Sequence, residues 1–384
     1  MNPLISTSHR LRLAFEPGLC AGDWVEVKSK EEILASLDDK GTLDGMPFMP
    51  EMLEYCGRPF RVYKRAHKTC DFSQGMQARR VSSAVHLEGL RCSGAAHGGC
   101  QAECLLFWKE AWLKPVAAPG AEVAASGDGR IAAGQKGDEH RRGDTAVCTE
   151  ERLRANTIES PEGEPVYLCQ GTTILRFSTP LRSSELDQYV EACTSGGVRL
   201  REMPAPLLFR LYERLVWSRL GRTGIPQRVY DTFQKLRGGV PYPNRPGLVA
   251  DGAKTPRGTP LNLQPGDFVR VKSFREILET LNREGKNRGL LFSQELVPYC
   301  GRVFRVHSRV SRIIDEATRK MLRFSNDCII LEDVVCRGRY NAGLAFCPRA
   351  NYPYWREIWL ERVAPDEVPA DLLAGAACDA SGVA

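Results

Sequence analysis

From Gly22 to Lys28 the chain alternates apolar and polar positions after a turn-forming Gly-Asp pair, and this period of two predicts a half-buried strand. The spacing then changes. Ile33, Leu34 and Leu37 fall on one face of a short helix predicted from Lys30 to Leu37, with Ser29 as its N-cap and Glu32 at the capping-box position. Gly41 and Gly45 break that pattern, and Pro50 to Tyr55 predict one further helical turn, stopped by Gly57. Alternation returns from Phe60 to Lys64 and from Val85 to Leu90, and Trp112 to Val116 predicts a closing strand.

This series of elements occurs twice. Tyr55-Cys-Gly-Arg-Pro-Phe-Arg-Val62 returns as Tyr299-Cys-Gly-Arg-Val-Phe-Arg-Val306, an offset of 244 that holds from Gly22/Gly266 to Cys92/Cys336. A three-residue insertion then moves the offset to 247, across which Cys100 meets Cys347 and Trp108 to Val116 meets Trp355 to Val363. From Gly22 to Val62, 21 of 41 positions are identical between the copies, against six of 30 from Tyr63 to Cys92. The first part reads as constrained framework and the second as a loop free to diverge.

Between the copies the pattern differs. Residues 117–145 are rich in Ala and Gly with scattered charges, a composition that cannot offset its ordering entropy, and they read as a flexible linker. Residues 146–238 predict a helical domain. One helix is capped by Ser183 or Ser184, a second starts at Pro206 and reaches Leu220, and a third runs from Pro226 to Leu236. Residues 239–265 form a Pro/Gly-rich connector, 1–21 a poorly ordered lead-in and 364–384 a small-residue tail. The expected fold class is α+β, with two small β-barrel repeats at 22–116 and 266–363 flanking the helical domain. The opening G-D-x-V-x-V, short strands and little helix resemble the SH3-like barrels of the KOW type, over about 95 residues per copy. The chain departs from that pattern in the helix after the first strand and in its cysteines. It is also similar to bacterial tandem-repeat proteins. The resemblance implies the barrel fold and no activity.

Composition adds the chemistry. The chain has 14 cysteines and no apolar run near its start, so these residues read as thiols or metal ligands of a bacterial-type cytoplasm rather than disulfides. No stretch approaches the roughly 20 apolar residues needed to cross a bilayer. Cys56/Cys300, Cys92/Cys336 and Cys100/Cys347 remain cysteine in both copies, where random placement gives on the order of 0.2 coincidences. Three thiolates need one further ligand to hold zinc in a tetrahedron. In the first copy Cys104 supplies it, with His97 behind. In the second, Cys328 or His307 stands in, because Asn351 occupies the place of Cys104. The expectation is up to two structural zinc ions. The alternatives are thiols packed as small hydrophobes, or an iron–sulfur or redox role. Cys70 and His67 occur in the first copy alone and read as surface chemistry.

Glu88/Glu332 and Glu110/Glu357 are retained in both copies, but pairing with retained arginines explains them without catalysis. The chain contains no Gly-rich phosphate loop, G-x-S-x-G elbow or H-E-x-x-H. The net charge of +6 is concentrated between Arg199 and Arg237, where nine basic and three acidic residues (9 − 3 = +6) leave the rest neutral in sum. In the helix Leu207 to Leu220 the expectation is burial of Leu208, Leu211, Leu215 and Trp217, with Arg210, Arg214 and Arg219 toward solvent. A protein or peptide partner is then favoured over nucleic acid. Two functional readings follow. One is a non-catalytic binding or adaptor protein with a cysteine-rich zinc site in each repeat. The other is an enzyme or biosynthetic accessory protein that uses Cys70, His67, His97 and Cys104 as a metal or redox site.

Overall fold

The computed structural model describes residues 18–119, 148–159, 163–218, 221, 223–341, 343–370 and 372–373. Most of the predicted linker 117–145, the lead-in up to residue 17 and the tail from 374 lie outside the described residues.

The architecture mixes helices and strands as expected of an α+β chain. In the first copy β1 (Trp24–Val27) and α1 (Lys30–Ser36) are followed by the hairpin β2 (Thr42–Leu43) and β3 (Met46–Pro47), then β4 (Pro59–Arg65). There follow β5 (Lys68–Asp71), β6 (Gln77–Val81), β7 (Ala84–Leu87), β8 (Trp108–Lys109) and β9 (Leu113–Pro115). The middle of the chain supplies α2 (Glu150–Ala155), β10 (Ile158–Glu159), β11 (Val166–Tyr167) and β12 (Ser178–Pro180). It continues with α3 (Asp187–Thr194), α4 (Pro204–Val216) and α5 (Ile225–Arg237). The second copy contains β13 (Phe268–Val271), α6 (Phe274–Leu278), the hairpin β14 (Lys286–Asn287) and β15 (Leu290–Leu291), β16 (Val303–Ile314), β17 (Met321–Leu331) and β18 (Leu360–Arg362).

Local chemistry sets the two frameworks. The turn before β1 needs glycine, because Gly22 has φ +97° and Gly266, before β13, has φ +93°. Asp23 Oδ2 accepts the Cys20 N–H at 2.7 Å, and Asp267 Oδ2 accepts the Gln264 N–H at 2.7 Å. Val25 and Val27 then point into the core, as Val269 and Val271 do. Ser29 with Glu32 and Ser273 with Glu276 form complete capping boxes on α1 and α6. Strand order is β8-β7-β4-β1-β9 in the first copy and β17-β16-β13-β18 in the second. Trp24 pairs with Arg61 and Phe268 with Arg305, the same register at an offset of 244. Trp108 and Trp112 pack edge-on against Phe48 at 6.1 and 5.1 Å, and Trp355 and Trp359 against Phe292 at 6.0 and 5.1 Å. Among the described residues no sheet closes on itself, so the expected barrels are open sheets wrapped on these aromatic cores.

The divergent stretch is where the copies meet. In the second copy β16 and β17 form one hairpin of 12 and 11 residues. In the first, the chain leaves the sheet after β4 and builds a separate layer, β12-β6-β5. The β16–β17 hairpin bonds the first copy's loop: the Gln101 N–H donates to Arg312 O at 3.1 Å and Arg312 Nε to Gly99 O at 3.0 Å. The first copy reaches back, with Arg91 Nη2 on Ala350 O at 3.0 Å and Lys68 Nζ on Ala345 O. From the segment that follows the first copy, Cys148, Leu153, Ile174 and Phe177 join the first core. Gln170 is bound there on both sides of its amide, accepting from Phe107 N–H and donating to Phe107 O, each at 2.9 Å.

The helix α4 corrects one expectation. Leu208, Leu211 and Trp217 are 63%, 63% and 76% exposed, and Leu215 is exposed as well. The buried residues are Pro206, Phe209 and Glu213. The cause is aromatic: Phe209 packs against Tyr230, Tyr242 and Tyr340, which fixes the opposite face of α4 inward.

Candidate metal centre in a thiol-lined cavity

Glu51 lies in the helical turn Pro50–Tyr55, before the retained Tyr-Cys-Gly-Arg. Cys92 and His97 come from the loop after β7, which the left-handed Gly94 folds back so that the His97 N–H donates to Gly94 O at 3.1 Å. The Gly94 backbone requires glycine for a second reason: a Cβ there would lie 2.0 Å from Cys100 O. Three donors converge as a result. Cys92 Sγ is 3.1 Å from Glu51 Oε1 and 3.2 Å from His97 Nε2, and His97 Nδ1 is 3.7 Å from Glu51 Oε1. Among the described residues this is the one group of three or more His, Cys, Asp or Glu side chains with metal-ligand proximity.

Burial sets the protonation of this group. Burial pushes the Cys92 thiol far up, and the Glu51 and Cys104 charges add to the effect. Burial also holds His97 below its ordinary range, against the pull of Glu51, so the imidazole is neutral. Glu51 Oε2 and His97 Nδ1 are buried without a hydrogen-bond partner. One ligand atom from each of the three residues lies within 4.8 Å of the others, and a divalent cation held there would displace the thiol proton.

The second copy is an internal control. Glu295, at the offset of 244 from Glu51, turns both carboxylate oxygens onto the loop backbone. It accepts from the N–H groups of Arg339, Tyr340 and Asn341 at 3.0, 2.5 and 3.0 Å. Across the offset of 247, Leu344 stands in the place of His97. The same carboxylate therefore braces a loop in one copy and faces a thiol and an imidazole in the other.

Of the residues expected to hold zinc, Cys92, Cys100, Cys104, Cys336 and Cys347 line one cavity of about 390 Å³ between the copies. Cys56, Cys300 and Cys328 do not line it. Cys56 packs against the first core and Cys300 against the second, each closing the turn before a left-handed glycine. Cys328 is buried beside Val310 and Ile330 and accepts from Arg356 Nη1 at 3.5 Å. Burial pushes the thiols of Cys104 and Cys336 up to about 11 and about 12. His307 is engaged by Glu103, Nε2 to Oε2 at 2.7 Å, and this bond raises its pKa. Two cysteines that the repeat comparison did not select, Cys70 and Cys169, also line the cavity. Cys70 has no counterpart in the second copy, and Cys169 lies outside both copies, so retention could not flag them. Glu51 is one of the 21 identical positions, which is the one sign of it in the sequence.

The remaining carboxylates are structural. Glu110 Oε1 accepts from Arg65 Nη1 at 2.7 Å and from the Leu19 N–H at 3.0 Å. Glu357 likewise takes Arg309 Nη1 at 3.1 Å and the Leu261 N–H at 2.8 Å. Glu88 and Glu332 pair with Arg61 and Arg305 at 3.3 and 3.5 Å. Among the described residues no helix is long and apolar enough to cross a membrane. No family model, curated protein or solved structure matches the chain, which leaves the chemistry of this cavity as the guide to function.

Proposed function

We propose that the chain is a non-catalytic binding protein of two SH3-like modules whose first copy holds a single zinc ion on Glu51, Cys92 and His97. The observation that carries this reading is the convergence of those three buried donors, two of them with an unpartnered polar atom, at a position where the second copy has Leu344 and a self-satisfied Glu295. A thiolate, an imidazole and a carboxylate match the ligand preferences of zinc. Three protein ligands leave a fourth position, and Cys92 and His97 both line the cavity between the copies. A peptide or protein side chain entering that cavity would meet apolar walls and the open coordination position. Free thiols in every described cysteine fit a cytoplasmic setting.

The test is metal content per chain after growth in zinc-replete medium. The reading expects close to one equivalent, lost in Cys92→Ala and His97→Ala and kept in Cys336→Ala. Retention of metal in both first-copy variants would reject it.

A further inference from the structure

Strand β5 places Cys70 inside the molecule, 6% exposed, although it lies in the most divergent part of the first copy. Cys70 packs in one buried cluster with Leu344 and Cys347 of the second copy, the latter 7% exposed. The residues are 277 positions apart (347 − 70). Arg349 holds the strand in place, donating from Nη1 to Cys70 O at 2.6 Å and reaching Cys70 Sγ at 3.7 Å. Asn351 Nδ2 approaches the same sulfur at 3.9 Å. Both thiols line the cavity, together with Phe72 and Met76.

The two sulfurs are not equivalent. Cys70 Sγ faces the donors Arg349 Nη1 and Asn351 Nδ2, whereas Cys347 lies beside the Cys70 thiol and near the Lys68 ammonium. Cys347 is the one described cysteine whose thiol is pulled down, with the neighbouring Cys70 thiol as the largest cause. The others are pushed up, chiefly by burial, and in Cys70 the neighbouring Cys347 thiol is the leading cause, with burial second. Lys68 is itself fixed by Gln188 Oε1 at 3.1 Å and by Ala345 O. A favoured thiolate beside a protonated thiol is the arrangement of an attacking and a resolving cysteine.

We propose that Cys347 and Cys70 form a dithiol that reduces small organic disulfides entering the cavity between the copies. The Cys347 thiolate attacks one sulfur of R–S–S–R. That S–S bond breaks, a Cys347–S–S–R bond forms, and RS⁻ leaves with the proton given up by Cys70. The Cys70 thiolate then attacks the Cys347 sulfur and expels the second RS⁻, which takes its proton from water. The sum is one R–S–S–R and two protein thiols converted to two R–SH and the Cys70–Cys347 disulfide. Two electrons pass from the protein pair to the substrate, and the disulfide formed ties the first copy to the second. None of this involves Glu51, Cys92 or His97, so it stands apart from the zinc reading.

The probe is hydroxyethyl disulfide, applied to the fully reduced full-length chain, followed by alkylation of remaining thiols and tryptic mapping. The expected product is the peptide Thr69–Arg79 joined to Tyr340–Arg349, with two molecules of mercaptoethanol released per cross-link formed. Cys70→Ser should stop the reaction at a mixed disulfide on Cys347, and Cys347→Ser should leave Cys70 alkylated. Recovery of both peptides alkylated from the wild-type chain, which requires no variant to fold, would overturn the proposal. So would a cross-link that joins either cysteine to a different partner, or the absence of the mixed disulfide in Cys70→Ser with native circular dichroism.

Discussion

Replacing Arg349 by Met removes an ion pair inside the second copy together with that copy's contact to the Cys70 carbonyl. The guanidinium is 2% exposed and sits between copies, with Nη1 on Cys70 O at 2.6 Å and Nη2 on Glu316, whose side chain is 15% exposed. Met conserves much of the volume and removes the charge. Glu316 is then left as a largely buried carboxylate, with Oε2 already lacking a partner, and the Cys70 carbonyl loses its Arg349 donor. Breaking a buried pair from one side costs about 3–5 kcal/mol. A second substitution should rescue part of this loss. Glu316→Gln in the Arg349→Met background removes the stranded charge, so the double variant should be more stable than Arg349→Met, with a coupling of about 2–3 kcal/mol. Urea unfolding of the four proteins, followed by tryptophan fluorescence, gives the cycle, because Trp108, Trp112, Trp355 and Trp359 sit in the two cores. A single-variant cost under about 1 kcal/mol, or strict additivity, would refute the reading of Arg349 and Glu316 as an energetically coupled pair.

Two further outcomes follow from burial. Phe209→Ala should cost about 3–5 kcal/mol, whereas Leu211→Asp and Trp217→Ser should stay within about 0.5 kcal/mol, measured by thermal unfolding; equal costs would place the inner face of α4 wrongly. His67 and His86 are buried, and desolvation lowers both to about 3 from an ordinary 6.5. The unfolded chain binds these protons at a pH where the fold keeps the rings neutral, so stability is full above about pH 6.5 and falls as the pH drops toward 3. Each ring contributes up to roughly 4–5 kcal/mol over that window. A denaturant midpoint that stays flat from pH 6.5 to 4 would contradict this.

Much of each framework could be read from the chain. The Gly-Asp turn, the alternation through Val25 and Val27, and the Ser29–Glu32 capping box are local signals, and each has its counterpart 244 residues on. The failures are all long-range. The sequence of α4 carries large side chains on both faces, and only Tyr230, Tyr242 and Tyr340, brought in by the fold, decide that Phe209 turns inward. Cys70 looked like surface chemistry because its loop diverges, yet the divergence is what lets β5 leave the sheet and meet Cys347. The retained Cys56 and Cys300 pointed to ligands, but their turns pack each of them against its own core. Glu51 was hidden for the opposite reason: a retained carboxylate in a short turn has no spacing signature, and its two copies use it differently.

The account stands most directly on metal stoichiometry. Elemental analysis of the purified chain, after extensive dialysis and per mole of protein, should give close to one zinc, falling below about a tenth in His97→Ala. Glu295→Gln, which breaks the corresponding brace in the second copy, should leave that value unchanged. Two equivalents in the wild-type chain, or none, would contradict a single centre built on Glu51, Cys92 and His97.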